Sequence, residues 1–322
     1  MERYPAALLL GAITCAAPAQ VPVPGPPAAV SAPSTTGPGP APAANAPAPD
    51  DLSFAEVDRR MTVPVQIAGA GPYRFIIDTG AQRSVISRQL ARRLNLPAGR
   101  RVRLTAMTGS SVVDTVIIPS LSVSTIGGER IEAPALEGSD LGALGLLGID
   151  TLQGHRLVID FDAGRMSVAP STRQDRAPRA APGEIVIQAR SLFGQLVVTS
   201  ATLNGRRVRV VLDTGTSISL GNRALQRMLA RGGKQAQAEM VSVLGDTLVA
   251  DYAAVRELKL GTASISGLPI AFADAAPFRA FALDDKPALF LGMDALKLFR
   301  RVEVDFANRE LRLLLPRGAA AR

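Results

Sequence analysis

The sequence contains one histidine, one cysteine and no tryptophan among its 322 residues. Most hydrolytic sites use a histidine base, a cysteine nucleophile or several His and Cys ligands to a metal ion. His155 and Cys15 cannot together form a zinc site of several such ligands, and Cys15 falls in a predicted targeting segment, which argues against a Cys–His pair. If the chain is an enzyme, carboxylates, hydroxyls and backbone dipoles must do the chemistry. We predict no metal ion and no cofactor.

Aromatic residues are also scarce, at 4% of the chain, and the formal net charge of +8 comes from scattered basic residues. Nucleic-acid binding usually needs a basic stripe with aromatic side chains for stacking. We therefore expect no nucleic-acid partner. The chain is 47% hydrophobic, which is enough for a buried core, and its length predicts about two domains.

Residues 6–13 form an unbroken apolar run that follows Arg3. This run is too short to cross a bilayer but suits the core of a signal peptide. We predict a signal peptide over residues 1–19 and an exported protein, periplasmic or secreted. Two alternatives stay open: Cys15 carries a lipid and provides the only membrane anchor, or the segment is a self-processed propeptide. Residues 20–50 are rich in proline and alanine, a composition typical of a disordered linker.

The rest of the chain contains an internal repeat. Residues 73–90 and 207–225 each read as an apolar strand, an Asp-Thr-Gly turn, a second apolar pair and a helical stretch. A second matched pair, residues 144–161 and 289–306, follows in the same order and at nearly the same spacing. Two motifs repeated in one order indicate a duplicated unit rather than chance similarity.

Short aliphatic strands surround these motifs and predict two small, mainly antiparallel β lobes. We place the lobes at residues 51–169 and 185–316, with an interlobe linker at residues 170–184. Ser87 and Asn222 are the predicted N-caps of the helical stretches. Two hairpin tips between the motifs are candidate flaps over an extended peptide, and the residues assigned to them are Thr108, Gly109, Ser110, Gly245 and Asp246.

The two Asp-Thr-Gly turns would meet if the lobes pack about a pseudo-twofold axis. Two carboxylates within hydrogen-bonding reach cannot readily both ionise, so Asp78 and Asp213 would share a proton. One carboxylate can then accept a proton from a water molecule while the other carboxyl polarises a carbonyl oxygen. This chemistry needs no histidine, cysteine or metal ion, in agreement with the composition. Paired aspartates of this kind are a known enzymatic arrangement.

These motifs resemble the retropepsin-like aspartic proteases, and most closely the bacterial envelope members with tandem domains. The resemblance covers residues 55–316 and implies two homologous β-barrel lobes with pseudo-twofold symmetry, each with a short helix or two. It implies that Asp78 and Asp213 are the catalytic pair. The turn-supporting residues would be Thr79, Gly80, Ala81, Thr214, Gly215 and Thr216, and the residues that support the psi-shaped loops would be Leu146, Leu147, Gly148, Phe290, Leu291 and Gly292.

The fourth residue of the turn differs between the copies, Ala81 in the first and Thr216 in the second. A hydroxyl beside Asp213 would donate to its ionised form and lower its pKa. We therefore hypothesise that Asp78 carries the shared proton at rest and that Asp213 is the base.

The favoured interpretation is a single-chain, monomeric aspartic endopeptidase that binds a protein or peptide substrate in extended form. One alternative is a catalytically silent peptide-binding or scaffold module of the cell envelope with the same fold. Another is that each lobe pairs with a lobe of a different molecule.

Overall fold

The computed structural model describes residues 6–8, 14–15, 51–53, 55–57, 60–123, 126–173, 180–229 and 236–317. The predicted linker at residues 20–50 and the predicted cleavage point after Ala19 lie outside these residues. In the part of the chain that is described, no helix is long and apolar enough to span a membrane.

The N-terminal half is built mostly of strands. Its elements are β1 (Ala6–Leu8), β2 (Thr14–Cys15), β3 (Asp51–Ser53), β4 (Ala55–Val57), β5 (Arg60–Ile67), β6 (Ala70–Ile77), β7 (Val85–Ser87), α1 (Arg88–Arg93), β8 (Ala98–Thr105), β9 (Ser110–Val123), β10 (Ile126–Leu136), α2 (Gly138–Leu141), β11 (Gly145–Leu147), α3 (Ile149–Leu152), β12 (His155–Asp160) and β13 (Arg165–Pro170).

The C-terminal half repeats much of this order. Its elements are β14 (Glu184–Gln188), β15 (Arg190–Leu192), β16 (Gln195–Leu203), β17 (Arg206–Leu212), β18 (Leu220–Gly221), α4 (Arg223–Leu229), β19 (Ala236–Val241), β20 (Thr247–Ala254), β21 (Glu257–Leu260), β22 (Ala263–Ser266), β23 (Pro269–Phe272), α5 (Ala276–Ala280), β24 (Ala288–Leu291), α6 (Met293–Leu296), β25 (Arg301–Asp305) and β26 (Glu310–Leu314).

Each half has its own large sheet. The first has nine strands in the order β1-β8-β9-β10-β7-β11-β6-β5-β4. The second has eleven strands, ten of them in the order β2-β19-β20-β23-β18-β24-β17-β16-β21-β22, and the eleventh, β15, pairs with β16. The prediction of a mainly β fold with two similar lobes is confirmed. The structure has three short helices in each lobe where the sequence predicts one or two. The additional helices, α2 and α5, have only four and five residues and so lack a helical period in the sequence.

A third sheet joins the lobes. Its six strands run in the order β14-β26-β25-β12-β13-β3, so β3, β12 and β13 come from the first half and the others from the second. β12 and β25 pair in antiparallel orientation at the centre. Arg156 and Asp305 form an ion pair of 3.1 Å across this seam. The sheet therefore fixes one lobe against the other.

Local sequence explains the elements that carry the site. Apolar side chains of β5 and β6 face the core, where Val63, Phe75 and Ile77 are fully buried. The predicted N-caps are confirmed: the Ser87 hydroxyl accepts from the Leu90 N–H at 3.2 Å, and the Asn222 side-chain oxygen accepts from the Leu225 N–H at 2.8 Å.

Candidate active site

Each Asp-Thr-Gly turn begins where an inner strand ends. Asp78 follows β6 and Asp213 follows β17. The N–H of Asp78 donates to the Leu147 carbonyl at 2.9 Å, and the N–H of Asp213 donates to the Leu291 carbonyl at 3.0 Å. The neighbouring strands β11 and β24 therefore hold both aspartates at equivalent places in their lobes.

The residues predicted to support the psi-shaped loops form two hydrophobic-Gly motifs, Leu146-Leu147-Gly148 and Phe290-Leu291-Gly292, which lie beneath the turns. The Ile149 N–H donates to the Ala81 carbonyl at 2.8 Å, and the Met293 N–H donates to the Thr216 carbonyl at 2.9 Å. A Cβ at Gly148 would lie 2.5 Å from the carbonyl carbon of Arg83. A Cβ at Gly292 would lie 2.8 Å from the corresponding atom of Ile218. No larger residue fits at either place without moving the backbone of the turn.

Two serines that the sequence reasoning missed brace these loops. The Ser84 hydroxyl accepts from the Gly148 N–H at 3.0 Å and donates to Asp150 Oδ1 at 2.7 Å. Ser219 makes the same two contacts with Gly292 and Asp294, at 3.1 and 2.7 Å. Each serine stands six residues after its turn aspartate, so the repeat itself was the available signal.

Asp150 and Asp294 lie in the first turns of the short helices α3 and α6. Each does accept an N–H in the first turn of its short helix, from Thr151 and Ala295 respectively. The helix N-caps are Gly148 and Gly292, however. The carboxylates therefore act mainly as acceptors for the serine braces.

The two turns are locked together by their threonines. The Thr79 hydroxyl donates to the Leu212 carbonyl at 3.0 Å and accepts from the Thr214 N–H at 3.1 Å. The Thr214 hydroxyl donates to the Ile77 carbonyl at 2.8 Å and accepts from the Thr79 N–H at 3.1 Å. This reciprocal lattice brings Thr79 and Thr214 together as the sequence places them.

The carboxyl groups of Asp78 and Asp213 lie close enough between the lobes for the negative charge of Asp78 to raise the pKa of Asp213. Both residues are 0% exposed. The Gly80 N–H donates to Asp78 Oδ1 at 2.9 Å, and the Gly215 N–H donates to Asp213 Oδ1 at 3.0 Å. A Cβ at Gly215 would overlap the Asp78 carboxyl, so the glycine permits the close approach.

The second oxygens of this pair remain available. Asp78 Oδ2 and Asp213 Oδ2 are buried and have no hydrogen-bond partner among the described residues. Carboxylate oxygens that are buried without a donor are costly unless a proton, a water or a ligand occupies the space. The arrangement can therefore share a proton and hold a small polar group between the two oxygens.

Burial raises the pKa of both carboxyls. The pKa of Asp78 rises to about 6, and hydrogen bonds from Gly80 and Ala81 and the charge of Arg60 oppose the rise. The pKa of Asp213 is held well above its ordinary value by burial and then by the negative charge of Asp78. The two carboxyls therefore titrate as a coupled pair above the ordinary pKa of an aspartate.

The structure contradicts the premise of the hypothesis based on Thr216. The Thr216 hydroxyl donates to the Ile218 carbonyl at 3.0 Å instead of to Asp213. Only the backbone N–H of Thr216 hydrogen-bonds to Asp213, and the Ala81 N–H does the same for Asp78. The Thr216 hydroxyl points back into its own loop. The difference between Ala81 and Thr216 therefore gives the two carboxyls no difference in side-chain hydrogen bonding.

The two lobes differ near the carboxyls at one pair of equivalent residues, which the sequence reasoning missed. Arg60 begins β5 and is 0% exposed, and its Nη2 donates to the Leu141 carbonyl at 3.1 Å. Gln195 begins β16, is equally buried, and donates from Nε2 to the Gly80 carbonyl. A buried positive charge in the first lobe therefore has a neutral counterpart in the second.

The predicted flap residues lie at two hairpin tips. The first tip, residues 106–109, joins β8 to β9, where Ser110 is the first residue of β9. The second tip, residues 242–246, joins β19 to β20. The Thr108 hydroxyl donates to Asp246 Oδ2 at 3.2 Å, so the tips meet. Gly109 and Gly245 both have positive φ, at 159° and 85°, as tight turns require.

Each tip buries an apolar side chain in the opposite lobe. Met107 is 1% exposed and packs in a cluster whose other buried members all come from the C-terminal lobe. Val243, also 1% exposed, packs with buried residues of the N-terminal lobe. The Met107 carbonyl accepts from the Ala276 N–H at 3.0 Å. Each tip therefore reaches across to the opposite lobe.

Within the described residues, no group of three or more His, Cys, Asp or Glu side chains could hold a metal ion. His155 begins β12, and its Nδ1 lies 3.2 Å from the Gln153 carbonyl oxygen. The chemistry available between the lobes is that of the two carboxyls.

Comparison with known proteins agrees with this geometry. A family whose model is described as an aspartyl protease matches residues 63–151 and 199–295, so each lobe with its Asp-Thr-Gly turn is matched once. The chain is similar to the crystal structure of a retropepsin-like aspartic protease from Rickettsia conorii, at 20% identity over 41% of this chain and 89% of that chain, with a TM-score of 0.29. No curated protein matches the chain. The resemblance inferred from the motifs is confirmed.

Proposed function

The chain belongs to the aspartyl protease family, and from this premise we propose that it is an endopeptidase whose Asp78 and Asp213 activate the attacking water. The observation that carries the proposal is the meeting of two fully buried carboxyls, each held by an equivalent glycine N–H. Their unequal environments divide the roles. Asp78 is the base and Asp213 holds the shared proton, because the charge of Arg60 acts to lower the pKa of Asp78 and the charge of Asp78 raises the pKa of Asp213.

The first step adds water to the peptide carbonyl. The water oxygen bonds to the carbonyl carbon while one water proton passes to the Asp78 carboxylate. The Asp213 proton passes to the carbonyl oxygen, so a neutral gem-diol forms and no free oxyanion has to be stabilised. Positioned proton transfer of this kind typically contributes about 10² to 10⁴ in rate for each group.

The second step breaks the C–N bond. The proton held by Asp78 passes to the leaving nitrogen, and a proton of the gem-diol returns to Asp213. The products are a carboxylic acid and an amine, and the carboxyl pair is restored to its starting state. The step requires no cofactor.

The substrate in this proposal is a protein or peptide bound in extended form in the groove beneath the two tips, which serve as flaps. We place both lobes in one chain, at residues 51–169 and 185–316 with a linker at 170–184, so that a monomer contains a whole site. The sheet shared by the lobes supports this assignment.

We also propose export of the protein, to the periplasm or the medium, on the basis of the apolar run at residues 6–13. Attachment through a lipid on Cys15 is the alternative. Radiolabelled fatty acid incorporated by the native chain but not by Cys15→Ser would establish the lipid anchor.

The test is cleavage of a peptide library by the purified chain, analysed by mass spectrometry with and without pepstatin. We expect cleavage at discrete bonds, inhibition by pepstatin, and loss of turnover in Asp213→Asn with an unchanged circular dichroism spectrum. A folded wild-type chain that binds library peptides but cleaves none of them would favour the silent binding module instead.

A further inference from the structure

The hairpin between β15 and β16 has an exposed aromatic residue at its tip. Leu192 pairs with Gln195, which leaves the two-residue turn Phe193-Gly194 between the strands. Both turn residues have positive φ, at 52° and 91°. Phe193 is 59% exposed, more than any other large hydrophobic residue among those described. The tip therefore presents an aromatic ring to solvent from a backbone conformation that bulky residues rarely adopt.

Two other hairpins have the same kind of turn, and they show which sequences suit it. Ala68-Gly69 joins β5 to β6 with φ values of 50° and 77°, and Asn204-Gly205 joins β16 to β17 with 49° and 78°. Asn-Gly is a preferred sequence for such turns because both residues must have positive φ. A bulky residue in this conformation is strained. The needs of the turn therefore do not explain the ring of Phe193.

The neighbours of the tip lie in the catalytic region of the first lobe. Gln195 donates to the Gly80 carbonyl in the first Asp-Thr-Gly turn. A Cβ at Gly194 would lie 2.7 Å from Ile149 Cγ2, so the tip packs directly against the residue that follows the first hydrophobic-Gly motif. Two residues of extended chain span at most about 7 Å, which limits the distance between the Cα atoms of Phe193 and Gln195. The tip is therefore fixed at the boundary between the lobes, close to the floor of the site.

The Phe193 ring rests on a row of buried phenylalanine rings. Its centroid is 5.8 Å from that of Phe281, which is 6.0 Å from that of Phe290 in the second hydrophobic-Gly motif. Phe278, in α5, stacks on Phe290 at 4.4 Å. α5 also receives the first tip, because its first N–H donates to the Met107 carbonyl. The exposed ring therefore belongs to the packed unit that carries one psi-shaped loop and holds one flap.

We propose that Phe193 forms an apolar subsite for a flanking residue of the substrate, one that binds a Leu, Phe or similar side chain several residues away from the cleaved bond. This inference rests on the proposed function. An extended peptide advances about 3.3 Å per residue, so a ring beside the catalytic turn but away from the carboxyls is reached by a flanking residue. Phe281 supports one side of the ring, and the free side offers a rigid aromatic surface that loses little freedom on binding.

Phe193→Asn tests the proposal, because turn stability and substrate selectivity should respond in different ways. The substitution makes the turn Asn-Gly, as at Asn204-Gly205, so the midpoint of thermal unfolding should stay the same or rise. One peptide that the wild type cleaves is varied by placing Leu or Ser in turn at each flanking position. At the position that meets Phe193, the preference in kcat/KM for Leu over Ser should fall about tenfold in Phe193→Asn. Phe193→Tyr retains the ring and should retain the preference.

Leu298→Asn is the matched control. Leu298 is 47% exposed and lies between α6 and β25, so its substitution also replaces an exposed apolar side chain with an amide. We expect the same Leu-over-Ser preference in this variant as in the wild type. The Kd values of the Leu and Ser peptides are also compared in Asp213→Asn chains with and without Phe193→Asn, so that binding is measured independently of turnover.

Three outcomes would overturn the subsite. The first is an unchanged flanking preference in Phe193→Asn together with a lower unfolding midpoint, which would give the ring a role in the fold only. The second is an equal loss of preference in Leu298→Asn. The third is a wild-type dimer in sedimentation that Phe193→Asn dissociates without a change in preference, since the ring would then serve self-association. If no form of the chain cleaves any peptide, the proposed function fails, and the ratio of Kd values in the Asp213→Asn chains still decides whether Phe193 binds a flanking side chain.

Discussion

Arg60 and Gln195 occupy the same position in the two lobes, each 18 residues before its turn aspartate and each fully buried at the start of a strand. The register proves the equivalence: Thr62 pairs with Ile76 in the first lobe as Val197 pairs with Val211 in the second. The duplicated site is therefore symmetric in its aspartates, threonines and glycines but asymmetric in charge. We propose that this asymmetry in charge gives the two aspartates different roles.

The acidic limb of the pH–rate profile tests the role of Arg60. Asp78 must be ionised to act as base, so activity should rise with pH through about 6, the pKa of Asp78. Arg60→Gln removes the charge that lowers this pKa, and the limb should move to higher pH. Arg60→Lys keeps the charge and should leave the limb close to its original pH.

Thr216→Val is the control for that series. In the wild-type chain the Thr216 hydroxyl donates to the Ile218 carbonyl rather than to Asp213. The acidic limb of the pH–rate profile should therefore keep its midpoint pH in Thr216→Val. If the limb had the same midpoint in Arg60→Gln and Arg60→Lys, the electrostatic role of Arg60 would be excluded.

Stability should depend on the ionisation of the pair. The folded pKa of Asp78 is raised from 3.8 to about 6. The folded chain therefore keeps a proton that the unfolded chain loses above about pH 4, and the unfolding free energy falls as pH rises through this window. Asn cannot ionise, so Asp78→Asn should be about 1 to 3 kcal/mol more stable than wild type at pH 7, with little difference at pH 4.

Chemical denaturation at pH 4 and pH 7 measures this difference. Asp114→Asn is a suitable control, because the Asp114 side chain is 71% exposed. It should show no comparable gain between the two pH values. An Asp78→Asn chain that is less stable than wild type at pH 7 would contradict burial as the cause of the raised pKa.

The flap assignment predicts an effect on catalysis from a residue that lies outside the carboxyl pair. Met107 carries the first tip into the C-terminal lobe. Met107→Ala should weaken the closed groove and raise KM. If the site stayed closed, the substitution should lower the free energy of unfolding by about 2 to 5 kcal/mol. A smaller loss of stability together with a higher KM would fit a tip that opens. Leu283→Ala, in the same cluster but not in a tip, provides the comparison. Equal KM in the two variants would argue against a flap role for this tip.

The duplicated parts of the site could be predicted from the sequence because repetition exposes them. Asp78 and Asp213 are recognisable since the same turn occurs twice, and the residues of the hydrophobic-Gly motifs follow in the same order. The helix caps at Ser87 and Asn222 depend only on local sequence, so they were predicted correctly. Ser84 and Ser219 also repeat and could have been found by extending the same alignment.

Other features depend on three-dimensional packing. Arg60 and Gln195 differ in type, so comparison of the two copies conceals their equivalence. The direction of the Thr216 hydroxyl depends on a side-chain rotamer, which the sequence does not reveal. The burial of Met107 and Val243 in opposite lobes follows from how the lobes pack, and no pattern within one hairpin predicts it.

The most direct test of the catalytic pair compares kcat/KM of wild type, Asp78→Asn, Asp213→Asn and the double variant on one cleaved peptide. Groups that act as a unit are not additive when removed. We expect each single variant to lose about 10³-fold or more, and the double variant to lose little beyond that. Retention of wild-type kcat/KM by either single variant would contradict the assignment of Asp78 and Asp213 as the catalytic pair.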